Sequence, residues 1–218
     1  EIPESNQESY NAGRNAVLGG IDFLNQDPDR LLEMRLNFYL RGLNKTEDPK
    51  AENELVGPNG EIVGRVKNGR PKFFPDYYVI PMSLDKDNDA QEAFNMIDYF
   101  KRNGVLVKEL KEDIGNYKKG DLVIDMAQAK RGYANHILYK GSNESAWAAM
   151  YAELLVNFPD MRGFKSEPVF ADGLFNGKLG EVTTTRATRT SEIDPKAPYY
   201  VIANTSASAV KAVRPPAQ

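Results

Sequence analysis

The sequence predicts an α/β protein, a layered sheet with flanking helices preceded by a helical N-terminal segment. Three observations carry this. The stretch from Pro75 to Gly141 alternates strand-like and helix-like runs, each with its own stop signal. The first 43 residues repeat apolar side chains at helical spacing. A hydrophobic fraction of 41% beside 27% charged residues, over 218 residues, matches an ordinary globular chain long enough to bury a sizeable core.

Taken in order, Ser5 and Asn6 offer helix caps, and Tyr10–Leu24 places Ala16, Val17, Gly20, Ile21 and Leu24 along one face. Asp27–Pro28 opens a second helix, broadly apolar from Leu31 to Leu40 and stopping at Gly42. Such a pair needs something to pack against, because alone it exposes much apolar surface. Residues 44–75 are rich in Gly and Pro. Pro58–Asn59–Gly60 lies between two apolar pairs, which predicts a β-hairpin within a linker. Residues 76–218 form the expected α/β domain.

Tyr77–Met82 is a β-branched and aromatic run of strand length. Ala90–Asn103 carries Ala93, Phe94, Ile97 and Phe100 on one helix face, and Asn103–Gly104 ends it. Val105–Leu110 and Leu122–Met126 read as strands separated by a Lys119–Gly120 turn. Gln128–Tyr139 is a second helix of this βαβ-type grammar. Ser145–Phe158 reads as a third, ended by Pro159, and Glu181–Thr185 as a strand. Tyr199–Ala203 repeats the YYVI of residues 77–80 before a helix at Ser206–Val213. No further strand follows, which predicts that the natural protein continues past Gln218.

The chemistry on offer is sparse. Net charge is −3 and no basic stripe occurs, so a nucleic-acid surface is not expected. No apolar run approaches a membrane span. The chain has no cysteine and a single histidine, His136, so neither a thiol nucleophile nor a two-histidine zinc site is available. No phosphate loop or G-x-S-x-G is present. Glu109, Asp113, Asp121 and Asp125 form a carboxylate-rich run that could suggest a cation site or an acid/base pair. Interleaved Lys108, Lys111, Lys118 and Lys119 favour a solvated edge. Lys130 and Arg131 open a helix and could meet an anion, with a solvent-facing role favoured.

The phrases PDYYVIPM, AFNMIDYFKRNGVLVKEL, GDLVIDMAQAKRGYANHILY and AWAAMYAELLVNFPDMRGF resemble the C-terminal region of bacterial zinc carboxypeptidases of the carboxypeptidase A-like family. The likeness spans most of residues 1–185. It implies a flavodoxin-like or class I glutamine amidotransferase-like layered sheet following a zinc peptidase domain. It further implies a secreted or cell-surface parent that removes C-terminal residues from peptides, cell-wall peptides among them. Residues 1–43 would close the missing peptidase domain, and Glu1 would match the family's general base. Zinc would belong to the parent, since the family's H-x-x-E and later His have no counterpart here. Amidotransferases also need a nucleophilic Cys, which is absent.

Two readings follow. One is a non-catalytic accessory region whose partner is the peptidase domain of the same polypeptide. The other is an independent peptide- or glycan-binding module, with Trp147, Tyr151 and Arg162 as contacts and Pro81–Asp85 and Met126–Lys130 rimming a pocket by fold analogy.

Overall fold

A computed structural model of the chain describes residues 5–47, 71–82, 90–140, 157–183, 194–202, 204 and 210–211. The expected hairpin at 55–63 and most of the helices at 145–158 and 206–213 lie outside these residues, Val210 and Lys211 of the last being helical.

Helix α1 spans Asn6–Gln26 and starts from a capping box, in which Ser5 and Glu8 each bond the other's backbone N–H. Helix α2 spans Pro28–Leu43, with the Asp27 side chain accepting from the Arg30 backbone N–H at 3.0 Å. Strand β1 (Tyr77–Ile80), helix α3 (Ala90–Arg102), strands β2 (Lys108–Leu110) and β3 (Leu122–Asp125), and helix α4 (Arg131–Leu138) follow. Helix α5 (Phe158–Arg162) and strands β4 (Glu167–Val169) and β5 (Leu179–Gly180) complete the set. Pro159 was expected to end a helix. Instead it sits in the first turn of α5, where its missing N–H costs nothing.

The sheet is an open, mixed α/β arrangement of five strands in the order β4-β1-β3-β2-β5, with every paired neighbour antiparallel. This fits the expected α/β class, but a flavodoxin-like or amidotransferase-like layering calls for parallel neighbours, which the described strands do not show. The β1–α3–β2 unit does join two parallel strands, because both run antiparallel to β3, which lies between them. This is a split βαβ, and β3–α4…β4 around β1 repeats it. The physical cause is the short β2–β3 connection. Its 111–121 turn, bridged at Ile114–Tyr117 and carrying Gly120 at φ 95°, returns the chain directly and forces an antiparallel pair.

All four residues of β1 are buried, on alternating faces. Tyr78 and Ile80, with Leu122 and Ile124 of β3, pack beneath α3 and α4 against Met96, Phe100, Ala134 and Leu138. Tyr77, Val79 and Val123 face the other way and meet Leu110, Val169 and Phe175. Among the described residues that second face is covered by turns rather than helices. Phe175 meets the Tyr77 and Tyr117 rings edge-on at 4.9 and 5.4 Å. The outer edge at β4 is blunted. The Val169 carbonyl points inward to the Asp76 N–H, so the neighbouring Pro168 points outward, where it offers no donor.

The expected strand Val105–Leu110 shortens to its last three residues, and Glu181–Val182–Thr183 follows β5 without strand pairing. Tyr199–Ile202 forms no strand and is exposed, whereas the identical tetrapeptide in β1 is buried. No described helix is long and apolar enough to cross a membrane.

Truncating Phe175 empties the turn-covered face. Phe175→Ala is expected to cost about 3–5 kcal/mol in urea unfolding. Leu174→Ala next to it, at a position 36% exposed, should stay within about 0.5 kcal/mol.

Candidate functional site

The carboxylate run divides: Asp113 is exposed, as at a solvated edge, and Asp125 is half-buried, whereas Asp121 and Glu109 are buried. Asp121 is 5% exposed and accepts from the Met82 and Lys118 backbone N–H groups at 3.0 and 2.8 Å. Glu109 is equally buried and holds Thr183 through its N–H at 2.6 Å and its hydroxyl, with Lys111 at 3.2 Å. Asp125 accepts from the Ala127 N–H, and Asp113 from the Lys119 N–H and the Lys118 ammonium. The Lys119 N–H, and after it Lys118, draws the Asp113 carboxyl below its ordinary range. Asp113, Asp121 and Asp125 therefore fix turns, and Glu109 fixes the segment that follows β5. Among the described residues no group of three or more His, Cys, Asp or Glu side chains is placed to hold a metal.

The other expected site residues disperse. Glu1, Trp147, Tyr151 and Ser83–Asp85 lie outside the described residues. His136 sits half-buried on α4. On the expected rim, Met126 and Gln128 are buried. The Gln128 amide accepts from the Leu106 N–H at 2.9 Å and donates to the Asp125 carbonyl at 2.6 Å, which fixes the entry to α4. Arg162 lies over the Phe158 and Tyr99 rings at 4.6 and 5.8 Å, built into an aromatic cluster. Within that cluster the Tyr99 and Tyr133 hydroxyls share a 2.7 Å hydrogen bond. Burial, then the bond to Tyr99 and its charge, pushes the Tyr133 phenol up to about 12.

Arg131 corrects the expectation most sharply. It is 6% exposed, and its guanidinium donates to the Thr46 carbonyl at 2.7 Å and pairs with Glu47 at 3.3 Å. It also lies 4.3 Å over the Phe74 ring. No anion is needed to explain it. The sequence signal available was its place at a helix start beside Lys130, which does not distinguish a buried clamp from a surface charge.

What remains as a candidate surface is the helical hairpin. None of the 21 residues of α1 is buried. Val17, Ile21 and Leu24 on α1, and Leu32, Leu36 and Leu40 on α2, are 48–65% exposed at helical spacing. Phe23 and Met34 are exposed as well, at other angles around the two helices. Large apolar side chains left in water along a helix mark a candidate interaction surface.

The class defined by these features is an antiparallel split-βαβ domain preceded by two helices, α1 and α2, whose apolar side chains are largely exposed. No protein-family model, curated protein or solved structure matches the chain.

The phenol pair gives a spectroscopic prediction. A phenol raised in the folded state adds stability that is complete below its unfolded value near 10 and lost as pH rises through about 12. Tyrosinate absorbance should therefore show a late component near pH 12, and because the Tyr77 and Tyr117 phenols are raised as well, Tyr133→Phe should reduce its amplitude without abolishing late titration.

Proposed function

We propose that this chain is a non-catalytic accessory region of a secreted zinc carboxypeptidase, and that its helical hairpin is the face that packs on the peptidase domain of the same polypeptide. The observation that carries the reading is the uncovered apolar hairpin, a surface whose exposure only a partner would relieve. The sequence phrases that resemble the C-terminal region of such peptidases supply the partner's identity. They also supply the extracellular or cell-surface location, and peptide C termini, cell-wall peptides among them, as the parent's substrates.

Zinc belongs to the peptidase domain in this reading. The described residues do not fit a zinc site: His136 is the chain's one histidine, and the buried Asp121 and Glu109 carboxylates already accept from backbone N–H groups. No step of hydrolysis is assigned to them. Glu1 keeps the general-base role only as part of the peptidase domain. The alternative, a peptide- or glycan-binding module, has less support, since Arg162 is engaged by its own aromatic neighbours.

Paired substitutions test the docking face. Ile21→Asp with Leu36→Asp should leave the melting temperature of this chain nearly unchanged, because both positions already face water. In the polypeptide that also carries the peptidase domain, the same pair should lower it by several degrees and reduce carboxypeptidase activity. Equal, negligible effects in both contexts would remove the docking role. Turnover of a C-terminal peptide by this chain with added zinc would remove the non-catalytic assignment.

A further inference from the structure

The end of α2 closes in a Schellman turn. The Thr46 N–H reaches the Arg41 carbonyl at 2.9 Å, and the Lys45 N–H reaches the Gly42 carbonyl at 3.3 Å. The left-handed residue of this motif is ordinarily glycine. Here it is Lys45, at φ 50°. A side chain in that conformation costs about 1–2 kcal/mol that glycine would not.

The side chain is what that strain supports. The Lys45 ammonium bonds Asp172 at 2.6 Å, stands 3.6 Å from Asp76 and lies 5.1 Å over the Tyr77 ring. Burial lowers its proton affinity. The Asp172 bond and the charges of Asp125, Asp172 and Tyr77 outweigh that and leave it raised. Asp76 also takes Lys72 at 2.6 Å, with its own side chain 3% exposed. Both ends of the expected linker therefore converge on one buried carboxylate. Arg131 repeats the arrangement, taking Thr46 and Glu47 from one end and Phe74 from the other. Gly42 completes the seat, since a Cβ there would press on the Gln128 carbonyl oxygen, and a Cβ at Gly132 would stand 3.2 Å from the Phe38 ring.

We infer that residues Gly42–Glu47 are a rigid joint that fixes helix α2 in one orientation on the α/β domain, with Lys45 as its anchoring side chain. A body docked on α2 is thereby held at a set angle to the sheet, instead of swinging on a linker. This rests on the chain's own contacts and does not depend on the peptidase reading.

The chain has no cysteine, so spin labels at Glu33→Cys on α2 and Asp98→Cys on α3 report the joint directly by pulsed dipolar spectroscopy. The parent should give a single narrow distance distribution. Lys45→Gly keeps the backbone motif, and relieves its strain, while deleting the anchor. It should broaden the distribution at least two-fold with helical circular dichroism unchanged, and Lys45→Arg should restore much of the narrowness. Gly42→Val should broaden it by a different route, through the lost seat on Gln128. A broad distribution in the parent overturns the inference, as does a narrow one in both the Lys45→Gly and Gly42→Val proteins.

Discussion

Burial of β1 on both faces is the constraint that the rest of the structure answers to. Tyr77 and Val79 point one way and Tyr78 and Ile80 the other, so each side of the sheet must be covered. On one side α3 and α4 do this with an ordinary apolar stripe. On the other, among the described residues, the cover is made from turns, and turns carry few apolar side chains. Phe175 and Tyr117 supply the bulk, while buried Asp121 and Glu109 hold the backbone beneath and beside them. A carboxylate is costly to bury unless its oxygens are met by donors, and here backbone N–H groups meet them.

The residue before β1 extends the same logic outward. Asp76 is buried at the start of the strand, and its N–H and C=O join β4 and Met126. Its carboxylate then needs cations, and these come from Lys45 and Lys72. The requirement of one buried group thus ties the end of α2 to the sheet. Arg131 does the same with the charges reversed, since its buried guanidinium needs acceptors and finds them in Thr46 and Glu47. The end of α2 is fixed by these polar contacts, while apolar side chains along α1 and α2 are left exposed.

Much of the element content was legible along the chain because its causes are local. Ser5 and Asp27 cap the two N-terminal helices, the α3 stripe recurs at 3.6-residue spacing, and Gly104 and Gly120 take the left-handed turns. The buried charged groups were less legible. Asp121, Glu109 and Arg131 read as surface charges, since ionised side chains are rarely buried, and nothing in their spacing reveals the backbone partners that make burial tolerable here. Lys45 went unnoticed for a similar reason. Gly42 looked like the helix stop, whereas the left-handed position is three residues later.

The YYVI repeat marks the division most directly. By itself the sequence determined that residues 77–80 favour an extended backbone and that the chain alternates strands with helices, because propensity and periodicity act over a few residues. It assigned the same tendency to residues 199–202, and there no strand forms. Only the tertiary structure decided that β3 inserts between β1 and β2, making neighbours antiparallel where the strand–helix alternation suggested a parallel sheet. Strand order depends on which apolar faces and which buried charges find partners far along the chain. Those pairings are properties of the assembled core and of no single stretch within it.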